Sequence, residues 1–181
     1  VFASQEFGVV PDMMTLAKAT TNGVVPMGVV ACKDEMYDAL MDSSPQGAIE
    51  LFHGYTYSGI PVSVAAALAV QEIFEKDDIF NKVKGMVEYF QKSIFSLKDL
   101  DSVANIRGQG LMAGIDMKLN TKPGKAGFET FKACYDVGVN FKATGDCLII
   151  APQFICEKKH IDEIIDKLRT GITNYQKNQK N

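Results

Sequence analysis

The feature that most constrains this chain is a helical pattern running across residues 62–97 with a single polar break. Residues 62–74 (VSVAAALAVQEIF) are Ala-rich and apolar on most faces, which predicts a helix packed deeply against its neighbours. Residues 77–97 carry Ile79, Phe80, Val83, Met86, Val87, Phe90, Ile94 and Phe95. That spacing of three and four predicts an amphipathic helix. A helical block in the middle of 181 residues leaves a segment on each side, so the second helix is placed to bridge two domains.

The segments on either side differ in pattern. After the helices, residues 103–117 (VANIRGQGLMAGIDM) read as two short strands around a Gly-rich turn. Residues 125–137 form an amphipathic helix through Phe128, Phe131, Cys134 and Tyr135, ended by Gly138. Residues 139–142 and 147–151 read as a hairpin turning at Thr144-Gly145-Asp146. A last helix starts at Glu157 or Lys158 and buries Ile161, Ile164, Ile165 and Leu168, and the polar tail from Asn174 is expected to fray. The sum is an α+β unit of order β-β-α-β-β-α. Before the helices, residues 13–18 are a short apolar run and Thr20-Thr21-Asn22-Gly23 a turn cluster. Residues 24–32 (VVPMGVVAC) read as a buried strand bent at Pro26 and Gly28, and residues 33–41 as a short helix. The expected division is 1–75, a connecting helix at 76–100, and a small domain at 101–181.

Composition narrows the function classes. A net charge of -3 and a pI near 5.4 argue against nucleic acid or an anionic membrane as the main partner. The apolar runs fall short of the ~18 residues that span a bilayer. Cys32, Cys134, Cys147 and Cys156 show no CxxC spacing, which points to buried free thiols in a reducing cytosol rather than to a metal or disulfide scaffold. The chain opens at Val1 without a Met, inside what reads as a structured segment. The expectation is that an N-terminal part of a longer protein precedes it.

Two segments carry chemistry. Lys18 follows an apolar run and precedes a turn. A lysine there can point into a pocket, where desolvation lowers its pKa and makes the amine nucleophilic, or it can be a solvated surface residue. Residues 52–61 (FHGYTYSGIP) are neither clean helix nor strand. Small residues and Thr56 in a turn can present N–H groups and a hydroxyl to a phosphate, although the same letters suit an aromatic-packed loop. His53 reads more readily as a hydrogen-bonded structural histidine than as a base, and His160, at a helix start, as solvated.

Taken together, these segments resemble a known family. PDMMTLAKATTNGVVPMGVV is similar to the lysine segment of class III pyridoxal-phosphate aminotransferases, and FHGYTYSGIPVSVAAALAVQEI to their phosphate loop and long helix. IRGQGLMAGIDM and GDCLIIAPQFICEKKHIDEIIDKL resemble their C-terminal domain. The TNG-x-x-PMG and HGYTYSG forms are closest to ω-amino acid–pyruvate (β-alanine–pyruvate type) transaminases. The resemblance implies the C-terminal part of a fold-type I enzyme, α/β to α+β, with the end of the large cofactor domain followed by the small domain. It implies pyridoxal 5'-phosphate as cofactor, Lys18 as the Schiff-base lysine and proton carrier, Thr56 as a phosphate ligand reaching the other subunit of a homodimer, and Tyr55 beside it. An amine and a 2-oxo acid such as pyruvate would be the substrates.

Three positions depart from the family pattern. Ile60 stands where His or Asn is usual before Pro61. Lys142 stands where an arginine usually clamps the substrate carboxylate, and lysine pairs as a point charge without the planar fork. The acidic partner of the pyridinium nitrogen would lie upstream of Val1, so the 181 residues alone are expected to have little activity. A diamine or diaminopelargonate transaminase, or a non-catalytic relative acting as a structural or binding subunit, are the alternatives.

Overall fold

The computed structural model describes residues 2–48, 53–119 and 122–179. It divides into two compact units between Asp78 and Ile79.

The first unit begins with a single helical turn, α1 (Ala3–Glu6), followed by strands β1 (Met13–Ala17) and β2 (Gly28–Cys32). They pair antiparallel from Met13↔Cys32 to Ala17↔Gly28. The open end of this ladder is fastened twice by Lys33. Its N–H donates to the Asp12 carbonyl at 3.0 Å and its ammonium sits 2.6 Å from the Asp12 carboxylate, which holds that carboxyl below its usual range. Helix α2 (Asp34–Ser43) follows, with Asp34 and Glu35 in the first turn where the helix dipole favours them. After a 3₁₀ turn at Tyr55–Tyr57 comes α3 (Pro61–Lys76), with Pro61 at the first helical position, where its missing N–H costs nothing.

Two expectations about this unit need correction. The strand expected over 24–32 starts only at Gly28, because Pro26 has no N–H to give a ladder and residues 24–27 stay in the loop. Nor is it buried: β2 has β1 as its sheet neighbour, and Val30 is 65% exposed. Helix α3 likewise buries only Ser63 and Val70, leaving Val62, Val64, Leu68 and Ile73 exposed, since no described element of the unit covers that face.

The second unit runs through α4 (Ile79–Phe95), a 3₁₀ turn at Ser96–Asp99, β3 (Val103–Gln109), β4 (Met112–Met117), α5 (Lys125–Asp136), β5 (Lys142–Thr144), β6 (Cys147–Ile150) and α6 (Lys158–Gln179). The sheet is antiparallel in the order β3-β4-β6-β5. Strand alternation sends Ala113, Ile115, Met117, Leu148 and Ile150 to one face. There they join Phe90 and Ile94 of α4, Cys134 of α5, and Ile161, Leu168 and Ile172 of α6 in one core. Helices α5 and α6 approach closely at Gly171, where a Cβ would lie 2.5 Å from the Cys134 sulfur. Burial pushes the Cys134 thiol up to about 12.

The fraying expected from Asn174 does not occur through Gln179, the last described residue. Helix α6 continues to Gln179 because Tyr175 is buried and the Gln176 amide oxygen accepts from the N–H groups of Asp101 (3.0 Å) and Ser102 (2.8 Å). The cysteines are free, but only Cys134 is buried. Cys147 and Cys156 are half-buried and Cys32, on the thinly covered β2, is exposed. Among the described residues no helix is long and apolar enough to cross a membrane.

Candidate active site

Lys18 is the first residue past the β1–β2 ladder and opens the loop that joins the two strands. Its backbone is left-handed, with φ 59°, a region that costs a non-glycine residue roughly 1–2 kcal/mol. Asn22 (φ 50°) and Gly23 (φ 77°) turn the loop back. A cleft of about 890 Å³ opens beside it, lined by Ala17, Lys18, Thr21, Met27, Tyr57, Ile60 and Ser63 among others. The chain therefore brings the lysine, the loop after it and the start of α3 to one concavity. Lys18 itself is exposed. Of the two readings open for it, a desolvated pocket lysine or a solvated one, the described residues of this unit supply no desolvation, since they bury only Thr21, Ser63 and Val70.

The phosphate-loop segment is partly described, Phe52 lying outside the described residues. Tyr55 and Thr56 occupy the 3₁₀ turn and are exposed, and the residue of that turn that reaches the cleft is Tyr57. The His53 and Tyr55 rings lie 5.2 Å apart. Ile60 supplies the N-cap of α3 without a side-chain hydrogen bond, as its aliphatic side chain requires. Sequence reasoning passed over Thr21, Ser63 and Tyr57. Thr21 was legible only as one letter of a turn cluster and of TNG-x-x-PMG, and Ser63 as one small residue of an apolar helix.

Lys142 belongs to the second unit. It pairs with Ile149, Ile149 with Gly114, and Gly114 with Arg107, so one cross-strand row carries Lys142 and Arg107 on the same sheet face, away from the core. Lys142 is exposed. Arg107 is already engaged: it pairs with Asp116 and lies 3.4 Å from the Cys147 sulfur, and burial pushes that thiol up. The Gly145-Asp146 pair before β6 has a structural use. The Asp146 carboxylate accepts from the N–H groups of Gly124 (2.6 Å) and Gly127 (3.0 Å), and so caps α5, whose own N-cap residue Gly124 has no side chain to do it. His160 is half-buried rather than solvated, because its Nδ1 accepts from the Glu157 N–H at 3.0 Å at the start of α6.

With this arrangement in view, comparison with known proteins is decisive. The profile of aminotransferase class-III matches residues 1–172. The chain belongs to the class-III aminotransferases. Its similarity to an ω-aminotransferase of Caulobacter vibrioides is 42% identity over 93% of this chain and 38% of the relative. Two proteins of Pseudomonas aeruginosa, a β-alanine–pyruvate aminotransferase (34%) and a putrescine–pyruvate aminotransferase (36%), are each covered over 93% of this chain and 38% and 37% of their own length. A solved transaminase structure with L-alanine superposes with a TM-score of 0.92 at 27% identity, over 98% of this chain and 43% of that one. This class-III chain thus spans about two fifths of the length of the curated relatives it matches, and corresponds to a C-terminal portion of the transaminase fold.

Class-III aminotransferases depend on pyridoxal phosphate. The donor set present here fits that group: a primary amine, Lys18, lines an open cleft and suits an aldehyde, while the exposed Thr56 hydroxyl suits a phosphate. A further polar group is left over, since the Thr20 hydroxyl, two residues beyond Lys18, is buried without a partner.

Proposed function

We propose that the whole protein to which this chain belongs moves an amino group from an ω-amino acid or primary amine to a 2-oxo acid such as pyruvate. The observation that carries this reading is Lys18, left-handed at the mouth of a cleft, in a chain matched by the class-III profile over nearly its full length. Residues 1–75 end the cofactor-binding large domain, 76–100 connect, and 101–181 form the small domain. The division between Asp78 and Ile79 supports the first boundary, while α4 gives Phe90 and Ile94 to the core of the second unit.

Bound pyridoxal phosphate supplies the electron sink for the pair left when a proton leaves the substrate carbon. The chain supplies the rest. The Lys18 amine would hold the cofactor aldehyde and, once free of it, would take the proton from the substrate carbon on its Nζ. Thr56 donates a hydrogen bond to the phosphate, with Tyr55 beside it. Neither lines the cleft that Lys18 lines, which supports their serving the other subunit of a homodimer. Lys142 pairs with the substrate carboxylate as a point charge. A diamine donor is the second reading, favoured by that missing fork and by the likeness to the putrescine–pyruvate enzyme.

The test is Lys18→Ala in the whole protein. It is expected to abolish both transamination and the visible absorbance band that appears on adding pyridoxal phosphate, with the circular dichroism spectrum unchanged. Full turnover by the Ala variant would remove the reading. Lys18→Arg is expected to fail as well, since a guanidinium forms no imine at neutral pH.

A further inference from the structure

Thr21 is an anomaly in its unit. It is 1% exposed, the most buried described side chain in a unit that buries only two others. It lies in a loop, and its polar atoms are fully used. Its N–H donates to the Lys18 carbonyl at 3.3 Å, its carbonyl accepts from the Val24 N–H at 3.1 Å, and its hydroxyl donates to the Val25 carbonyl at 2.7 Å. The next carbonyl, that of Pro26, accepts from the Ser63 hydroxyl at 3.2 Å. A continuous run of short links therefore leads from the Lys18 carbonyl through Thr21 and along the loop to the first turn of α3.

That run matters because of the conformation it adjoins. A left-handed lysine persists only where its surroundings over-determine it. The β1–β2 ladder fixes the chain up to Ala17, and beyond it the loop has no further ladder bonds. Thr21 is the element that closes the turn behind Lys18, and it does so with a hydroxyl as well as with its backbone. An alanine at this position keeps both backbone bonds and loses only the hydroxyl link to Val25.

We infer that Thr21 is a positioning residue for Lys18: its buried hydroxyl holds the loop that keeps the lysine left-handed and aimed into the cleft. The inference rests on the reading of Lys18 as the cofactor-binding amine, and its test separates the two.

The experiment compares Thr21→Ala and Thr21→Ser with the parent in the whole protein, prepared without cofactor and titrated with pyridoxal phosphate. The readouts are the visible absorbance band, steady-state kinetics and thermal melting. For Thr21→Ala the apparent affinity for pyridoxal phosphate and kcat are each expected to fall about tenfold, while KM for the amine moves by less than about twofold. Thr21→Ser, which keeps the oxygen, is expected to restore both. Thr21→Ala should also melt lower than Thr21→Ser, because a buried hydrogen bond is lost. The readout that a merely structural role would not move is kcat and cofactor affinity measured well below the melting midpoint, with KM unchanged. If Thr21→Ala fails to fold, Thr21→Val against Thr21→Ser makes the same comparison, because Val fills the space of Thr without its hydroxyl. The inference is overturned if Ala or Val matches the parent in both band and kcat, or if Ser loses as much as Ala. Lys18→Ala tells this apart from failure of the parent reading. Loss of the band in Lys18→Ala together with an unaffected Thr21→Ala sinks only the inference, whereas a band that survives Lys18→Ala sinks both.

Discussion

The two units of this chain solve the burial problem to different degrees. Among the described residues of the second unit, nineteen apolar side chains form one core between a sheet face and helices α4, α5 and α6. The first unit buries Thr21, Ser63 and Val70 and leaves Phe7, Val10, Val24, Tyr57, Val62 and Leu68 exposed. A surface of that kind marks a place where something else packs. The proposed chemistry falls on the incomplete side: Lys18 and the cleft belong to a unit whose described residues do not desolvate them. The lesson is that a lysine's place in the chain and its electrostatic setting are separable. The first is present here in the αL turn, and the second must come from surfaces that cover the cleft.

The largest expected contrast follows directly. Produced as separate pieces, residues 79–181 are expected to unfold in one cooperative urea transition, and residues 1–78 to show none. A closed core of this size can outweigh chain entropy, whereas three buried side chains cannot. A cooperative transition in 1–78, monitored by circular dichroism, would break the comparison.

Thr56→Ala in the whole protein tests the exposed side again. The hydroxyl offers one hydrogen bond to a dianion, so its loss is expected to cost about 1.5–3 kcal/mol of pyridoxal phosphate binding. With saturating cofactor, turnover should change far less. If Thr56 serves the other subunit, the loss should track dimer dissociation on dilution. Equal cofactor affinity for variant and parent, measured by titration, would count against the assignment.

The closed side has its own polar joint. Asp146→Ala removes the carboxylate that satisfies the N–H groups of Gly124 and Gly127, and is expected to destabilise the second unit by about 1–3 kcal/mol. The midpoint of the urea transition should fall with its slope unchanged. An unchanged midpoint would mean that water caps α5 as well as Asp146 does. The hairpin packs so closely here that residue 127 must be glycine, since a Cβ there would fall 2.2 Å from the Gly145 carbonyl oxygen.

Legibility in the sequence follows the same division. In the second unit the three-and-four spacing of Phe90 and Ile94 and the alternation through Ile115 and Leu148 name the buried faces, and partners for those faces lie within the unit. In the first, α3 is apolar on most faces, and none of the unit's described elements covers Val62, Val64, Leu68 and Ile73, so deep packing does not follow. Periodicity states which side is to be covered and is silent about what covers it. The α6 tail failed for another reason: Tyr175 and Gln176 sit among polar letters, Tyr175 is held by the apolar core, and Gln176 is anchored by Asp101 and Ser102, more than seventy positions away. Lys18 and Thr56 were legible as members of linked motifs. Thr21 opens one of those motifs, TNG-x-x-PMG, but its role was not legible, because what sets it apart is a satisfied, buried hydroxyl, and a turn cluster such as Thr20-Thr21-Asn22-Gly23 gives no sign of which threonine points inward.

Lys142→Arg tests whether the closed unit contributes to the chemistry at all, and its expected effect is the smallest. Lys142 stands on β5, exposed, on the sheet face that also carries Arg107. Arg107 is committed to Asp116, and the other arginine, Arg169, donates from Nη1 to both Asp99 carboxylate oxygens at 2.8 and 3.0 Å and from Nη2 to the Ser96 carbonyl at 3.0 Å. Neither is free to take over as the planar clamp that Lys142 lacks. An arginine at 142 would replace a flexible point charge with two parallel hydrogen bonds. A carboxylate-bearing substrate such as β-alanine or pyruvate is then expected to gain on the order of 1 kcal/mol, or several-fold in apparent affinity. Amines without a carboxylate should gain nothing, and a bulky amine should lose some affinity to the larger side chain. The split between the two substrate classes, read as KM for each in the whole protein, is the measurement. Equal effects on both would mean that Lys142 is a solvated lysine on the outer face of the sheet, and that the second unit serves the reaction only as a closed, stable body.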